Sequence, residues 1–268
     1  MGLSSNAAGT ITLGRQYDSM VDYVGPLTAN GSWGGTFFSH PLDNDNTNNS
    51  FRINNSVKYT SVNYGGFNFG GLYGFSNQPG SQKNNRAWSL GASYDNGPLK
   101  AAVAYLHLNR PGTTAYGAVS DDATFAAGRQ RVAGAGLNYT FGMVTLGGVF
   151  TYTNLNDTGA LSSLIFTNYE VNAKFALTPA LSLGAMYDYT CARGRAVSWR
   201  LERPLESVWR DGRLRIVEAH RRVWSDGVPA RARHCAGGHR RYLGPFVQRS
   251  SGRYPRWHSP QVLIVAVQ

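Results

Sequence analysis

Arg52 and Lys58 are the residues whose spacing most plainly assigns them an environment. In the run 51–60 the polar residues Arg52, Asn54, Ser56, Lys58 and Thr60 fall at every second position. A period of two puts them on one face of a strand, opposite Phe51, Ile53, Val57 and Tyr59, so that both cations present fixed positive charge to water. The other residues able to do chemistry do not assemble a site. His40 and His107 have no Ser/Asp or Cys pattern near them, and nothing points to a catalytic centre. His234, Cys235 and His239, even with Cys191, lack a zinc-ligand spacing. The glycines of 65–74 alternate with aromatics inside a strand-like run and open no helix, which excludes a phosphate loop. No enzyme, no metal and no cofactor are expected.

The element carrying Arg52 and Lys58 is one of about nine with the same period, at 10–15, 51–60, 67–76, 88–95, 99–108, 131–140, 144–153, 169–175 and 181–189. Connectors alternate in length. Those near 95–98, 141–143 and 178–180 are tight, whereas 76–87, 109–130 and 154–168 are long, polar and rich in turn formers. One trimmed end and one elaborated end is the asymmetry of transmembrane β-barrels, as are strands that begin or end in Tyr, Phe or Trp. A soluble sandwich also alternates, but its oily face is rich in Ile, Val and Leu. Here that face is Ala, Gly, Leu and aromatics, and the polar face holds mid-strand charges such as Lys58, Glu170, Lys174 and Asp188, which suit a wet lumen. The fold class expected is all-β, a partial antiparallel transmembrane β-barrel. No apolar run approaches the ~20 residues of a spanning helix.

Composition divides the chain at about residue 190. Residues 1–190 hold 10 Lys+Arg against 10 Asp+Glu, while residues 191–268 hold 16 Arg, no Lys and 5 acids, so the whole net charge of +11 sits in the tail. The tail has no Asn, Thr or Met, although residues 1–190 hold 20 Asn, and it contains both cysteines and four of the six tryptophans. Such a break exceeds ordinary drift between domains. Residues 1–190 are therefore expected to be the barrel fragment, and 191–268 an irregular, non-native tail translated out of frame. An Arg-rich tail with interspersed Trp also suits nucleic-acid binding, but an out-of-frame product of a GC-rich gene accounts for the missing Lys and Asn as well. The opening Met1-Gly2-Leu3-Ser4-Ser5 lacks the basic and apolar regions of a signal peptide.

Three segments carry a resemblance: GLSSNAAGTITLGRQYD at 2–18, NSFRINNSVKYTS at 49–61 and YDNGPLK at 94–100. In order and spacing they resemble the trimeric general porins of proteobacterial outer membranes, over essentially all of 1–190. The resemblance implies a barrel of ~16 strands around an aqueous channel. It also implies that 10–15 is the fifth strand, 16–50 a loop folded back into the lumen as a constriction, and 51–61 the sixth strand. On this mapping the first four strands and the signal peptide are missing, as from a gene start placed too late. Porins of this kind continue past this point with a run such as Ser-Lys-Arg-Thr-Asp-Val-Tyr-Gly. With suitable synonymous codons, regrouping it one base earlier spells Glu218 to Trp224.

In the matched family, acids on the constriction loop face basic residues on the wall and set a transverse field that filters solutes. Carried over residue by residue, Asp18, Asp22, Asp43 and Asp45 lie in the loop segment, and Arg15, Arg52 and Lys58 on the flanking strands. Arg15 would alternate outward with Ile11 and Leu13 unless Gly14 bends the strand. The implied function is passive diffusion of small hydrophilic solutes and ions, in a homotrimer surrounded by outer-membrane lipid, without specific nucleic acid. Two alternatives are a soluble basic nucleic-acid-binding protein with an all-β body, and a non-channel outer-membrane barrel such as an adhesin. Salt-dependent DNA binding would favour the first and a sealed barrel without conductance the second.

Overall fold

Alternation along the chain becomes a sheet whose strands pair in sequence order. The computed structural model describes residues 1–120, 125–159, 161–178, 181–196, 214–217 and 256–267. Ten strands run antiparallel, each beside its neighbour in the chain. They are β1 (Gly2–Ser5), β2 (Gly9–Gln16), β3 (Ile53–Thr60), β4 (Phe67–Gly74), β5 (Arg86–Asn96), β6 (Leu99–Asn109), β7 (Arg129–Phe141), β8 (Val144–Asn156), β9 (Leu161–Thr178) and β10 (Leu181–Ala196). β10 continues past the composition break at 190. The tail, expected to be irregular, supplies two further described strands. β11 (Leu214–Val217) lies parallel to β12 (Arg256–Val267), which pairs antiparallel with β10. A strand with an apolar run at 262–267 finds the open side of β10 to be a ready template. The rest of the tail lies outside the described residues. The order leaves β1 and β11 as the two edges of the described sheet.

The ends of the sheet differ as the connectors implied. Turns at 97–98 and 142–143 close one end, and segments 17–52, 75–85 and 110–128 leave the other. The long connector expected over 154–168 is an exception. β8 runs on to Asn156 and β9 starts at Leu161, because Leu155 and Leu164 extend the ladder that the polar residues around them had obscured.

Each face has its own composition. Leu90, Val103, Leu137, Phe150, Tyr169, Val171, Leu183 and Tyr187 are exposed on the outward face. The inward face is small or polar, with Ser89, Ala102, Ala104, Thr151, Asn168 and Asn172 buried beneath the long segment 17–52. That segment folds as short helical turns, among them Met20–Val24, Gly25–Leu27, Asn30–Gly34 and Pro41–Asp43. Met20, Val24 and Leu27 bury themselves against Ala102, Ala104, Leu106, Val132 and Val149, and each such burial is worth about 1.5–3 kcal/mol. Small residues on the wall let the loop approach. A Cβ at Gly91 would lie 2.3 Å from the Tyr23 ring, and one at Gly184 2.3 Å from Trp33.

The strict alternation read over 51–60 does not survive. Asn55 adopts a left-handed φ of 50° and the β2–β3 register shifts beside it, a bulge with one extra residue on β3. Before the bulge Phe51 and Ile53 face inward and are buried with the loop, and after it Ser56 and Lys58 face inward while Val57 turns out. A bulge changes which parity is the oily one, and composition alone does not reveal it.

Candidate functional site

The loop 17–52 is tied to the inward face by hydrogen bonds from β5, β8 and β9. Near its start, the Ser19 N–H donates to Ser89 Oγ on β5 at 3.0 Å, and the two hydroxyls meet at 2.9 Å. In the middle, the Ala29 N–H donates to Glu170 Oε1 on β9 at 2.7 Å, and Asn172 Nδ2 donates to the Leu27 carbonyl at 3.1 Å. Near its end, Thr151 Oγ1 on β8 donates to Asp45 Oδ2 at 2.5 Å, and Asn168 Nδ2 donates to Asn44 Oδ1 at 3.0 Å.

At the centre of these contacts is a buried imidazole. His40 Nδ1 lies 2.6 Å from Asp45 Oδ2, and its Nε2 is 3.1 Å from Glu170 Oε2 and 3.8 Å from Asp188 Oδ1 on β10. The Nε2 contacts are ionic and not aligned as hydrogen bonds. Burial alone would lower the His40 pKa, but Asp45 foremost, with Glu170 and Asp188, holds it well above 6.5. Burial would likewise raise Asp45, but the charged His40 brings it down to about 2. The pair is therefore imidazolium and carboxylate, clamping the loop onto β9 and β10. Among the described residues no cluster is arranged to hold a metal ion.

Of the seven charges expected at a constriction, the structure brings two together on the water side. Lys58 faces inward and pairs with Asp22 of the loop, also donating to the Tyr17 carbonyl at 3.2 Å. Burial raises the Asp22 pKa, against the pull of Lys58. The other three loop acids are turned into the loop itself. Asp18 is fully buried, accepting from the Met20 N–H at 2.7 Å and Asn46 Nδ2 at 2.6 Å, and burial pushes its pKa up to about 7. Asp43 accepts the Asn48 and Ser50 N–H groups at 2.9 and 3.0 Å, with its pKa raised by burial. Asp45 belongs to the His40 clamp.

Arg15 and Arg52 are not brought to this site. Gln16 is the inward residue, with Nε2 donating to the Thr12 carbonyl and to Ser56 Oγ, so the exposed Arg15 takes the other side. Arg52 precedes the inward Ile53 and stacks over the exposed Tyr17 ring at 4.8 Å. The bulge at Asn55 explains why the parity expected for Arg52 fails. Sequence reasoning passes over His40, which has no catalytic pattern around it. The available signal is in the strands: Glu170 and Asp188, acids in mid-strand on an inward face, require a cation, and the loop folding over them contains His40.

Comparison with known proteins agrees with this architecture. A family model described as Gram-negative porin matches residues 1–200. An outer membrane porin protein of Bordetella pertussis is 34% identical over 158 residues, covering 54% of this chain and 38% of that protein. The chain thus spans well under half the length of that relative. The anion-selective porin from Comamonas acidovorans superposes with a TM-score of 0.54 at 21% identity, covering 72% of this chain and 59% of that one, a likeness of fold. Members of such a family are channels and not enzymes. With the family model matching most of the chain, and a sheet and inward loop of the matching kind, this chain belongs to the Gram-negative porins.

Proposed function

We propose that the chain supplies wall and constriction to a passive diffusion channel for small hydrophilic solutes and ions in the outer membrane, assembled as a homotrimer. The single observation that carries this reading is the loop 17–52, clamped by His40 across the polar face of a sheet whose other face is apolar. A loop held there narrows whatever water-filled space the sheet encloses, and the Asp22–Lys58 pair at its margin presents charge to passing ions. The edges of the described sheet, β1 and β11, do not seal in hydrocarbon, where each unpaired backbone group costs several kcal/mol. The same reading takes residues 191–268 as the last barrel strands translated out of frame.

Planar-bilayer recording tests the proposal once the frame after codon 190 is restored and further strands close the sheet. Stepwise conductance is expected then, and none from the 268-residue chain alone. A unit charge ~10 Å from an ion in water is worth about 0.4 kcal/mol, in opposite senses for a cation and an anion, so Lys58→Gln should shift the cation-to-anion preference toward cations by roughly fourfold. A restored frame that meets early stops, or a closed barrel without conductance, contradicts the reading.

A further inference from the structure

Three lysines stand on the inward wall, and two of them have carboxylate partners. Lys58 pairs with Asp22, and Lys100 with Asp95 at 2.9 Å. Lys174 on β9 has no ion-pair partner among the described residues. It belongs to an inward row that runs Thr140, Thr145, Lys174, Gly184 across β7 to β10 and contains no acid. The next row toward the long loops runs Asp95, Lys100, Asn138, Gly147, Asn172, Met186, and its one acid is the partner of Lys100. Glu170 and Asp188 lie a row further on, at 2% exposure or less, where His40 takes up their charge. Lys174 therefore presents an unbalanced positive charge on the short-turn side of the loop.

Directly across from Lys174, an aromatic ring covers the wall. A Cβ at Gly184 would lie 2.3 Å from Cζ3 of Trp33, so the ring edge fills the space that a side chain there would take. Trp33 meets Phe38 edge-on at 5.0 Å, over buried Ala29 and Met186. Phe37, on the same turn, points away from this packing and is 94% exposed. Neighbouring strands are ~4.8 Å apart, so the flexible Lys174 side chain starts one strand from the ring-covered Gly184. The ammonium does not close onto the ring: among the described residues, the cation–ring contact is that of Arg52 with Tyr17. Aromatic surface beside an unpaired cation complements a flat apolar group that carries a negative charge, because the ring loses water while the charge finds its counterion.

We propose that Trp33, Phe37 and Lys174 form a subsite for aromatic carboxylates on the short-turn side of the constriction. The solute's ring meets Trp33 and Phe37, and its carboxylate meets the Lys174 ammonium beside the Thr145 hydroxyl, which already shares a hydrogen bond with Thr140 at 3.0 Å. A small carboxylate without a ring has only the lysine to meet, and a neutral ring has only the aromatic surface. The proposal rests on the inward face lining a channel, as the porin reading requires, and it names the class of solute that lingers there.

Titration of the full chain, refolded in dodecylmaltoside with its indole nitrogens isotopically labelled, tests it. The readout is the Trp33 indole resonance, identified by its loss in Trp33→Phe, and the probes are benzoate, acetate and benzyl alcohol. Benzoate should shift that resonance with a midpoint roughly fivefold or more below those of the other two, each of which satisfies half of the site. Lys174→Gln should raise the benzoate midpoint to that of benzyl alcohol. Phe37→Ser, at a side chain too exposed to disturb the loop's packing, should raise it several-fold, and Lys100→Gln, one row away, should leave it unchanged. Acetate equal to benzoate would reduce the site to a bare cation, and benzyl alcohol equal to benzoate would reduce it to an apolar patch. Either result overturns the proposal, as does a benzoate midpoint untouched by Lys174→Gln or Phe37→Ser. No shift with any probe overturns it as well but leaves the channel reading standing, since conductance of the closed barrel tests that reading separately.

Discussion

Replacing His40 with leucine is expected to release the second half of the loop from the wall. The substitution is close in size, so packing changes little, but it removes the cation between Asp45, Glu170 and Asp188, all at 2% exposure or less. Breaking a buried ion pair by deleting one partner costs about 3–5 kcal/mol, because the remaining charges stay desolvated. The first half has its own hold through Met20, Val24 and Leu27, so release should be confined to about residues 36–50. Amide exchange there should accelerate by roughly 10²–10⁴-fold, since every 1.4 kcal/mol is a factor of ten, while residues 19–29 remain protected. Exchange at 36–50 equal to that of the unsubstituted protein would show that the clamp does not hold the loop.

The same clamp sets a pH window. His40 has a folded pKa raised above its unfolded value near 6.5, so its contribution is complete below about 6.5 and is lost as pH climbs through the folded value. Asp45 works in the opposite sense: its folded pKa of about 2 is depressed, so its contribution is present above the unfolded 3.8 and lost as pH falls through 2. Asp18, raised by burial to about 7, favours the docked loop when protonated, and that help fades between 3.8 and 7. Docking should therefore be firmest near pH 4, decline toward pH 7 as Asp18 ionises, and weaken further in alkali as His40 loses its proton. Each linked proton contributes a slope of up to about 1.4 kcal/mol per pH unit. Spin labels on Thr36 should become mobile above the His40 transition and not below it. Mobility that falls steadily from pH 5 to 9 is incompatible with a charged His40.

The period of two made the strands legible, since alternation is a local consequence of strand geometry and needs no partner to be read. The bulge at Asn55 was not, because an extra residue in β3 is defined only by the register with β2, and that one residue carried Arg52 to the other face. The loop acids illustrate the same limit. Asp18, Asp43 and Asp45 look like water-facing charges in sequence, yet each is consumed by backbone amides, Asn46 or His40, which are partners set by the loop's tertiary path.

Residues 17–52 lie across the inward face of the sheet, and a cross-link tests that placement most directly. Ser19 and Ser89, 70 positions apart in the chain, place their Oγ atoms 2.9 Å apart, close enough that cysteines at the two positions need only a small adjustment to reach the ~2.0 Å S–S bond length. In a chain with Cys191→Ser and Cys235→Ser, the double substitution Ser19→Cys/Ser89→Cys should close a disulfide nearly quantitatively under mild oxidation, detected as an intact linked peptide after tryptic digestion and mass analysis. A folded protein whose two thiols both stay free would contradict the account, placing the loop away from the wall and leaving no constriction for the channel.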